Sequence, residues 1–189
     1  TKVFNTFEGG AIISPDAKTK QRIDRLKNFG IADELTVTAP GINGKMSEIN
    51  AAFGLVQLKH IDDAMAQRQA IDARYRAELA EVTGITLYQH DSNANSNFSY
   101  FPILVEADCP LSRDELYDKL KAHGILSRRY FYPLISNMPM YRGLPSADIK
   151  HLPQANALAE KVLCLPIYAD LNDLEQSLII KCISTLDIK

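Results

Sequence analysis

The longest stretch of regularly spaced hydrophobic residues begins after Ser47 and continues to Gly84. Its apolar residues recur at intervals of three and four positions, the period of a helix with one apolar face. They are Ile49, Ala52, Phe53, Val56, Ile61, Ala64, Met65, Ile71, Tyr75 and Leu79. Ser47 has a side chain suited to cap this helix. Gly54 and a slip in the period near Arg68 predict a bend or a break, and a helix of such length usually links two domains.

The chain before Ser47 has shorter patterns and more turns. The apolar run Ala11–Ser14 follows two glycines and ends before a proline, which predicts a short buried strand. A helix is predicted over Asp16–Asn28, and Gly30 ends it by adopting a left-handed backbone conformation that other residues avoid. The stretch 31–45 has no sustained period and contains one proline and two glycines, so it is predicted to be a loop.

After Gly84 the pattern alternates between strands and helices, which indicates a small α+β layer structure. The predicted strands are Ile85–Tyr88, Phe98–Val105, beyond a turn rich in asparagine and serine, and Ile125–Tyr132. The predicted helices run from Ser112 to Gly124, from Gln154 to Val162 and from Asn172 to Leu186. Ser112 and Glu115 form a capping box that opens the first of these helices, and Asn172 and Glu175 imitate it in the last.

Composition excludes several kinds of partner and location. The chain has 189 residues, enough for one ordinary domain or one and a half small ones, and its net charge of −2 leaves no basic face for nucleic acid. The longest apolar runs, such as Leu178–Ile180, are far shorter than the roughly 20 residues that cross a bilayer. The first residues lack a basic region followed by an apolar core, so no secretory signal is indicated and a cytoplasmic location is expected.

Neither the cysteines nor the histidines form a metal-binding pattern. The cysteines are odd in number and widely spaced, which argues against a disulfide framework and a metal cluster and predicts buried free thiols. They are Cys109, Cys164 and Cys182. The histidines, at positions 60, 90, 123 and 151, have no ligand spacing and no carboxylate at a fixed offset. We therefore expect no metal site.

The first candidate for chemistry is the lysine in the string TKVFNTFEGGAII, at residues 1–13. A single lysine is usually a solvated surface charge. The whole string, however, resembles the cofactor-lysine segment of the DegT/StrS family of sugar aminotransferases, which implies that Lys2 binds the aldehyde of pyridoxal 5'-phosphate covalently. An unprotonated lysine amine can attack a carbonyl, leave again and move protons at the same carbon. The two glycines, Gly9 and Gly10, either let the backbone pass close beneath the cofactor or only shape a turn.

The second candidate is the string PGINGKMSEINAA, which starts at Pro40. Alone, its Asn-Gly step is a turn dipeptide. The string is similar to the family's Gly-x-Asn-x-Arg-Met segment, in which the asparagine reaches across a subunit interface to the cofactor phosphate of the partner. The resemblance implies that Asn43 binds this phosphate and that the protein is a homodimer with shared active sites. Lys45 stands where the family usually has arginine; it keeps the charge but loses the planar, two-pronged geometry, which leaves its role in orienting a substrate anion open.

The third candidate is the string SRRYFYPL, which starts at Ser127 and resembles the family's C-terminal strand ending in a Tyr-Pro or His-Pro step near the sugar. Alternating aromatic residues on a strand are also typical of a core. The resemblance implies that Tyr132 lines the substrate pocket. Arg128 or Arg129 is suited to a diphosphate, as guanidinium groups bind phosphate oxygens well, although an exposed strand edge explains both equally. The string LCLPIY at residues 163–168 also resembles a late strand of the family.

The resemblance covers almost the whole chain and implies an α/β fold of the aspartate-aminotransferase type (PLP fold type I). Residues 1–60 would be the end of the large cofactor-binding domain, and residues 61–189 the small C-terminal α+β domain. Because the chain starts at Thr1, inside a motif, we expect further residues upstream, which would carry the groups that contact the pyridine nitrogen, the ring and part of the phosphate.

The implied activity is the transfer of an amino group from glutamate to a nucleotide-linked keto sugar. The finer similarity is to family members that aminate carbon 4 of dTDP-4-keto-6-deoxyglucose on the way to bacterial surface polysaccharides such as the O-antigen of lipopolysaccharide. A sister activity of the family, sugar dehydration, has histidine in place of the lysine, so Lys2 argues against it. The alternative is a truncated remnant without catalysis, which acts as a dimerisation or binding module.

Overall fold

The computed structural model describes residues 2–89 and 94–185. The chain divides into two compact units, Thr1–Asp62 and Asp63–Lys189. His90, the middle of the predicted Asn/Ser turn, and Leu186, the predicted end of the last helix, lie outside the described residues.

The first unit contains two helices and a small hairpin. Its elements are α1 (Ala17–Leu26), β1 (Ile31–Asp33), β2 (Thr36–Val37) and α2 (Glu48–Gln57), and the two strands pair antiparallel. Asp16 caps α1 by accepting a hydrogen bond from the N–H of Thr19 at 2.7 Å, and Ser47 caps α2. Gly30 has a φ of +78°, in the left-handed region, and follows the end of α1. The starts of both predicted helices and the left-handed conformation of Gly30 are confirmed, but α1 ends at Leu26, and Phe29, with a φ of +60°, is left-handed before Gly30.

Two predictions for this unit are wrong. The run Ala11–Ser14 is not a buried strand: it has no regular structure, and the side chain of Ile13 is 95% exposed. In the described part of this unit no strand lies beside it, so its backbone has no ladder to join. The stretch 31–45 is not wholly a loop, because it contains the short hairpin of β1 and β2.

The long helical run is broken at neither of the two predicted points. The helix α2 ends at Gln57, and the next helix, α3, spans Ile61–Leu79. Gly54 lies inside α2 without breaking it, because its missing side chain makes room for a neighbouring segment. Arg68 lies inside α3 and donates to backbone carbonyls of two later segments, so its polar side chain is part of the packing and does not end the helix.

The described part of the second unit contains an antiparallel sheet of three strands and the helices that cover it. After α3 its elements are β3 (Ile85–Leu87), β4 (Phe101–Val105), α4 (Arg113–Ala122), α5 (Pro153–Lys161), β5 (Val162–Leu165) and α6 (Asp173–Ser184), with three short 3-10 turns at Ile135–Asn137, Pro145–Ala147 and Ile149–His151. The strand order is β3-β4-β5. Both predicted capping boxes are present, at the starts of α4 and α6.

The core of the second unit lies between this sheet and its helices. Its fully buried hydrophobic side chains are Tyr75, Leu79, Phe101, Ile103, Leu116, Leu120, Leu163 and Ile183. The rings of Tyr75 and Phe101 lie 4.8 Å apart, and the Tyr75 hydroxyl donates to the carbonyl of Pro166 at 3.0 Å. Burial raises the pKa of Tyr75. The hydroxyl therefore stays protonated and keeps its hydrogen bond inside the core.

The predicted strand over Ile125–Tyr132 is wrong. Only Arg128 joins the sheet, through an isolated antiparallel bridge to Cys164. The residues beside it bond to their own neighbours instead: the N–H of Tyr130 donates to the carbonyl of Arg128, and that of Tyr132 to the carbonyl of Arg129. These local turns use the backbone groups that a strand would need. The predicted strand at Phe98 begins only at Phe101.

All three cysteines are free thiols. Cys164 and Cys182 are buried as predicted, whereas Cys109 is only half-buried. Burial raises the pKa of the Cys164 thiol to about 11. Residues 2–89 and 94–185 contain no group of side chains suited to a metal ion, and no helix within them is long and apolar enough to cross a membrane.

Candidate active site

Lys2 begins a short exposed segment of the first unit, residues 2–10, which we call the lysine segment. The segment folds back on itself: the Thr6 hydroxyl donates to the carbonyl of Glu8 at 3.2 Å, and the N–H of Phe7 donates to the side-chain oxygen of Asn5 at 3.2 Å. Phe7 has a φ of +64°, which for a residue with a bulky side chain costs about 1–3 kcal/mol and persists only where the surroundings enforce it. The side chain of Lys2 is exposed.

Asn43 lies in a loop whose backbone is held by the end of α1. The N–H of Ile42 donates to the carbonyl of Leu26 at 2.9 Å, and the N–H of Gly44 donates to the carbonyl of Lys27 at 2.8 Å. Both neighbours of Asn43 are therefore fixed, and its own side chain is exposed. The loop presents an amide, which can donate two hydrogen bonds, on a well-defined backbone.

Lys45 lies two residues further along the same loop. Its side chain is exposed, and its amine lies 5.8 Å from the centroid of the Phe29 ring. A cation over an aromatic face is attracted to the ring, which limits where the flexible lysine side chain goes.

Tyr132 and Arg129 line one surface cavity of the second unit, with a volume of about 360 Å³. Its other walls include Tyr117, Ser127, Arg128, Tyr130, Phe131 and Met138. Ser127 is only 6% exposed, and among residues 2–89 and 94–185 its hydroxyl is the buried side-chain polar atom without a hydrogen-bond partner. The cavity thus combines aromatic rings, guanidinium groups and one buried hydroxyl, which suits a ligand with both polar and anionic parts.

One carboxylate, that of Asp114, binds two arginines at this cavity. Arg113 is buried, lies 4.7 Å from the centroid of the Tyr132 ring and binds Asp114 at 2.7 Å. Arg129 lies 4.2 Å from the centroid of the Tyr117 ring and binds Asp114 at 2.8 Å. The position of Tyr132 is therefore fixed by Arg113, and that of Arg129 by Asp114.

The charge of Asp114 is stabilised by these two neighbours. Burial acts to raise its pKa, but hydrogen bonds and charge from Arg129 and Arg113 outweigh burial, so the pKa of Asp114 lies below its ordinary value of 3.8. The same pair raises the pKa of Arg129, mainly through its hydrogen bond to Asp114. Above pH 3.8 the pair therefore stabilises the folded protein, and this contribution is lost as the pH falls through the lower pKa of the folded state.

We expect Asp114→Asn to lower the free energy of unfolding by about 1 kcal/mol or less at neutral pH, because the side chain of Asp114 is 54% exposed and solvent screens the pairs. The difference between the two proteins should shrink as the pH falls below 3.8, when both carry an uncharged group at position 114. Urea unfolding at a series of pH values measures it. A difference that stays constant with pH would show that the carboxylate does not act through its charge.

The predicted site residues lie on separate parts of the chain. Arg129 and Tyr132 share the cavity of the second unit, and Lys2, Asn43 and Lys45 lie on two segments of the first. The model of one protein family matches residues 1–184, and it describes the DegT/DnrJ/EryC1/StrS aminotransferases. The chain belongs to this family. The DegT-type sugar aminotransferases have an aspartate-aminotransferase-like fold.

Two curated members of the family are similar to most of this chain. The dTDP-4-amino-4,6-dideoxy-D-glucose transaminase of Escherichia coli is 70% identical over 167 residues, which cover 88% of this chain and 45% of the relative. The enzyme of the same name from Shigella dysenteriae is 51% identical over 172 residues, which cover 91% of this chain and 46% of the relative. The chain thus spans about half the length of the curated relatives it matches.

A solved DegT-type structure has the same fold over almost the whole chain. The crystal structure of DesI in the presence of its TDP-sugar product has a TM-score of 0.81 and 33% sequence identity, and the match covers 98% of this chain and 48% of DesI. DesV of S. venezuelae follows with a TM-score of 0.80 at 27% identity, covering 91% of this chain and 45% of DesV.

The donor groups of the first unit fit pyridoxal phosphate, the cofactor of DegT-type aminotransferases. A primary amine such as that of Lys2 can bind an aldehyde covalently, and an amide such as that of Asn43 can donate to phosphate oxygens. Both side chains are exposed on the described unit. Gly9 has a packing role: a side-chain carbon there would lie 2.5 Å from the Thr6 hydroxyl oxygen and 2.7 Å from the terminal carbon of Met46.

Sequence reasoning missed three features of the site. Arg113 and Ser127 have no sequence signal, because a capping-box arginine and a serine before two arginines look like surface residues. Gly54 did carry a signal. A glycine inside a helix marks either a bend or a close approach of another segment, and at Gly54 another segment, at Thr6, approaches closely.

Proposed function

We propose that this chain supplies part of the active site of a pyridoxal-phosphate-dependent aminotransferase that moves an amino group from glutamate to carbon 4 of dTDP-4-keto-6-deoxyglucose. The observation that carries the proposal is the 70% identity to a transaminase named for the resulting amino sugar, together with Lys2 at the start of the lysine segment. We propose residues 1–60 as the end of the large domain and 61–189 as the small domain, which the division into compact units beside Asp62 supports.

Lys2 has two proposed tasks in this reaction. Its Nζ would hold the cofactor aldehyde and, once released, would take the proton from the α-carbon of the amino donor. In the later reaction with the keto sugar, Nζ would deliver a proton to carbon 4 of the sugar. When bound, pyridoxal phosphate supplies an electron sink for these proton transfers.

Four other residues are proposed to bind. Asn43 donates its amide N–H groups to the cofactor phosphate of a partner subunit in a homodimer, which the fixed loop backbone around it supports. Tyr132, Lys45 and Arg129 are proposed to bind the nucleotide sugar. The shared cavity of Tyr132 and Arg129 supports this assignment, since Arg129 uses one edge of its guanidinium on Asp114 and retains donors for a phosphate. A cytoplasmic location and a role in O-antigen synthesis complete the proposal.

Borohydride reduction tests the assignment of Lys2. The complete protein is incubated with pyridoxal phosphate, reduced and digested, and the mass increase is mapped by mass spectrometry. We expect one adduct, at Lys2, and a lower yield after preincubation with glutamate, which displaces the lysine amine. Exposed lysines such as Lys18 serve as internal controls. An adduct at another lysine contradicts the assignment, and no adduct at all favours a binding module.

A further inference from the structure

The lysine segment is packed on one face of α2. The side-chain amide of Asn50 donates to the carbonyl of Glu8 at 2.5 Å. The ring of Phe53 stacks on that of Phe7, with centroids 4.1 Å apart and planes 22° from parallel. At Gly54 an added side-chain carbon would lie 2.7 Å from the Thr6 methyl group.

These three residues of α2 occupy positions i, i+3 and i+4, which share one helix face. Each contacts a different part of the lysine segment, by a hydrogen bond, by ring stacking and by close approach. We call this face, Asn50, Phe53 and Gly54, the α2 cradle. The segment cannot slide along it without losing several kinds of contact at once.

The orientation of the Asn50 amide is set by the cap of α2. The Ser47 hydroxyl donates to the side-chain oxygen of Asn50 at 3.0 Å and accepts from its backbone N–H at 3.2 Å. With its oxygen used in this way, Asn50 presents its N–H₂ group to the Glu8 carbonyl. The cap that begins the helix therefore also aims the amide at the lysine segment.

The strained backbone of Phe7 needs an external support. Its φ of +64° is unfavourable for a phenylalanine, and such conformations persist only where neighbouring contacts enforce them. The stacking on Phe53 and the hydrogen bond from Asn50 to the adjacent Glu8 act on the two residues at this point of the segment. Without these contacts, we expect the backbone at Phe7 to leave this unfavourable conformation.

We propose that the α2 cradle fixes the lysine segment and thereby positions Nζ of Lys2, with Asn50 as a positioning residue. The inference deepens the proposed function and rests on the role given there to Lys2. The same helix, α2, follows the Asn43 loop in the chain and packs on the segment that begins with Lys2.

Asn50→Asp is the test variant because it keeps the shape and the oxygen that faces Ser47 but sets an oxygen against the Glu8 carbonyl. The acidic side chain lies in the first turn of α2, where negative charge stabilises a helix, so loss of the helix is not expected. Asn50→Gln keeps the donor and should rescue. Gln21→Glu, the same chemical change at an exposed position of α1, is the matched control.

Two readouts are taken on the complete protein. In cofactor-free protein, hydrogen exchange of the Phe7 amide, which bonds to Asn5 within the lysine segment, should be about five- to tenfold faster in Asn50→Asp, as expected for one lost hydrogen bond. With pyridoxal phosphate, the borohydride-trapped adduct at Lys2 should form more slowly by a similar factor. Gly54→Ala should act in the same direction, although alanine strengthens the helix, because the added methyl group displaces Thr6.

The outcomes separate the two claims. If unsubstituted protein forms no adduct at Lys2, the proposed function fails and the positioning of a reactive amine fails with it. If the adduct forms at Lys2 but its rate of formation and the exchange of the Phe7 amide are the same in Asn50→Asp and Gln21→Glu, the proposed role of the α2 cradle alone is overturned. A rise in exchange throughout α2 in Asn50→Asp would mean that the substitution loosens the helix itself. Gly54→Ala is then the deciding variant, and an unchanged exchange rate in its lysine segment overturns the inference.

Discussion

Lys2→Arg is expected to lower the proposed transaminase activity of the complete protein by at least about 10⁴-fold while leaving its stability unchanged. Arginine keeps the positive charge and most of the length of lysine, so contacts that depend only on charge are retained. A guanidinium stays protonated at all physiological pH values and cannot capture an aldehyde or accept a proton from carbon. The side chain is exposed, which is why no loss of core packing is expected.

The measurement is the rate of amino transfer from glutamate to dTDP-4-keto-6-deoxyglucose, with the visible absorbance of bound cofactor recorded in parallel. Lys18→Arg, an exposed lysine of α1, is the control and should retain full activity. A Lys2→Arg protein that kept more than a small fraction of the activity would remove Lys2 from the mechanism. Unchanged activity in both variants would assign the chemistry to another amine.

Gly84→Ala is expected to cost about 3 kcal/mol of unfolding free energy, against about 1 kcal/mol for Gly124→Ala. The two glycines have almost the same left-handed φ, +76° and +75°. A side-chain carbon at Gly84 would lie 2.3 Å from the Cα atom of Cys109, whereas at Gly124 nothing lies within 4 Å. The pair therefore separates the cost of backbone conformation from that of close packing.

Urea unfolding followed by circular dichroism measures both variants. The larger loss is expected for Gly84→Ala because a backbone hydrogen bond keeps the two segments close there. The N–H of Glu106 donates to the carbonyl of Gly84 at 2.8 Å and holds the chain near Cys109 against the turn into β3. Equal losses in the two variants would contradict this close approach.

The sequence predicted best the features that are encoded locally. Helix starts depend on one side chain and the next few backbone N–H groups, and so Asp16, Ser47, Ser112 and Asn172 marked the starts of α1, α2, α4 and α6 correctly. A strand needs a partner elsewhere in the chain. The apolar runs at Ala11–Ser14 and Ile125–Tyr132 had suitable composition but only an isolated bridge or no partner at all among the described residues.

In the candidate site, too, local features could be predicted and contacts between distant residues could not. That Arg129 and Tyr132 share a cavity follows from their nearness in the chain, and the motif strings led to them. The hydrogen bond from Asn50 to Glu8 joins residues 42 positions apart and has no sequence signal of its own. The buried hydroxyl of Ser127 likewise became evident only when its surroundings were known.

Among the described residues, the backbone of the cavity wall joins the sheet only at the bridge between Arg128 and Cys164. Cys164 pairs with Pro102 of β4 on one side and exchanges two hydrogen bonds with Arg128 on the other, of 3.0 Å and 2.8 Å. Beyond this bridge, the backbone hydrogen bonds of residues 129–138 are local, and side chains such as Arg129 and Tyr132 hold the wall against α4. Substitutions among residues 133–138, which keep the contacts of Arg129 and Tyr132 with α4, are therefore expected to cost the three-stranded sheet little stability.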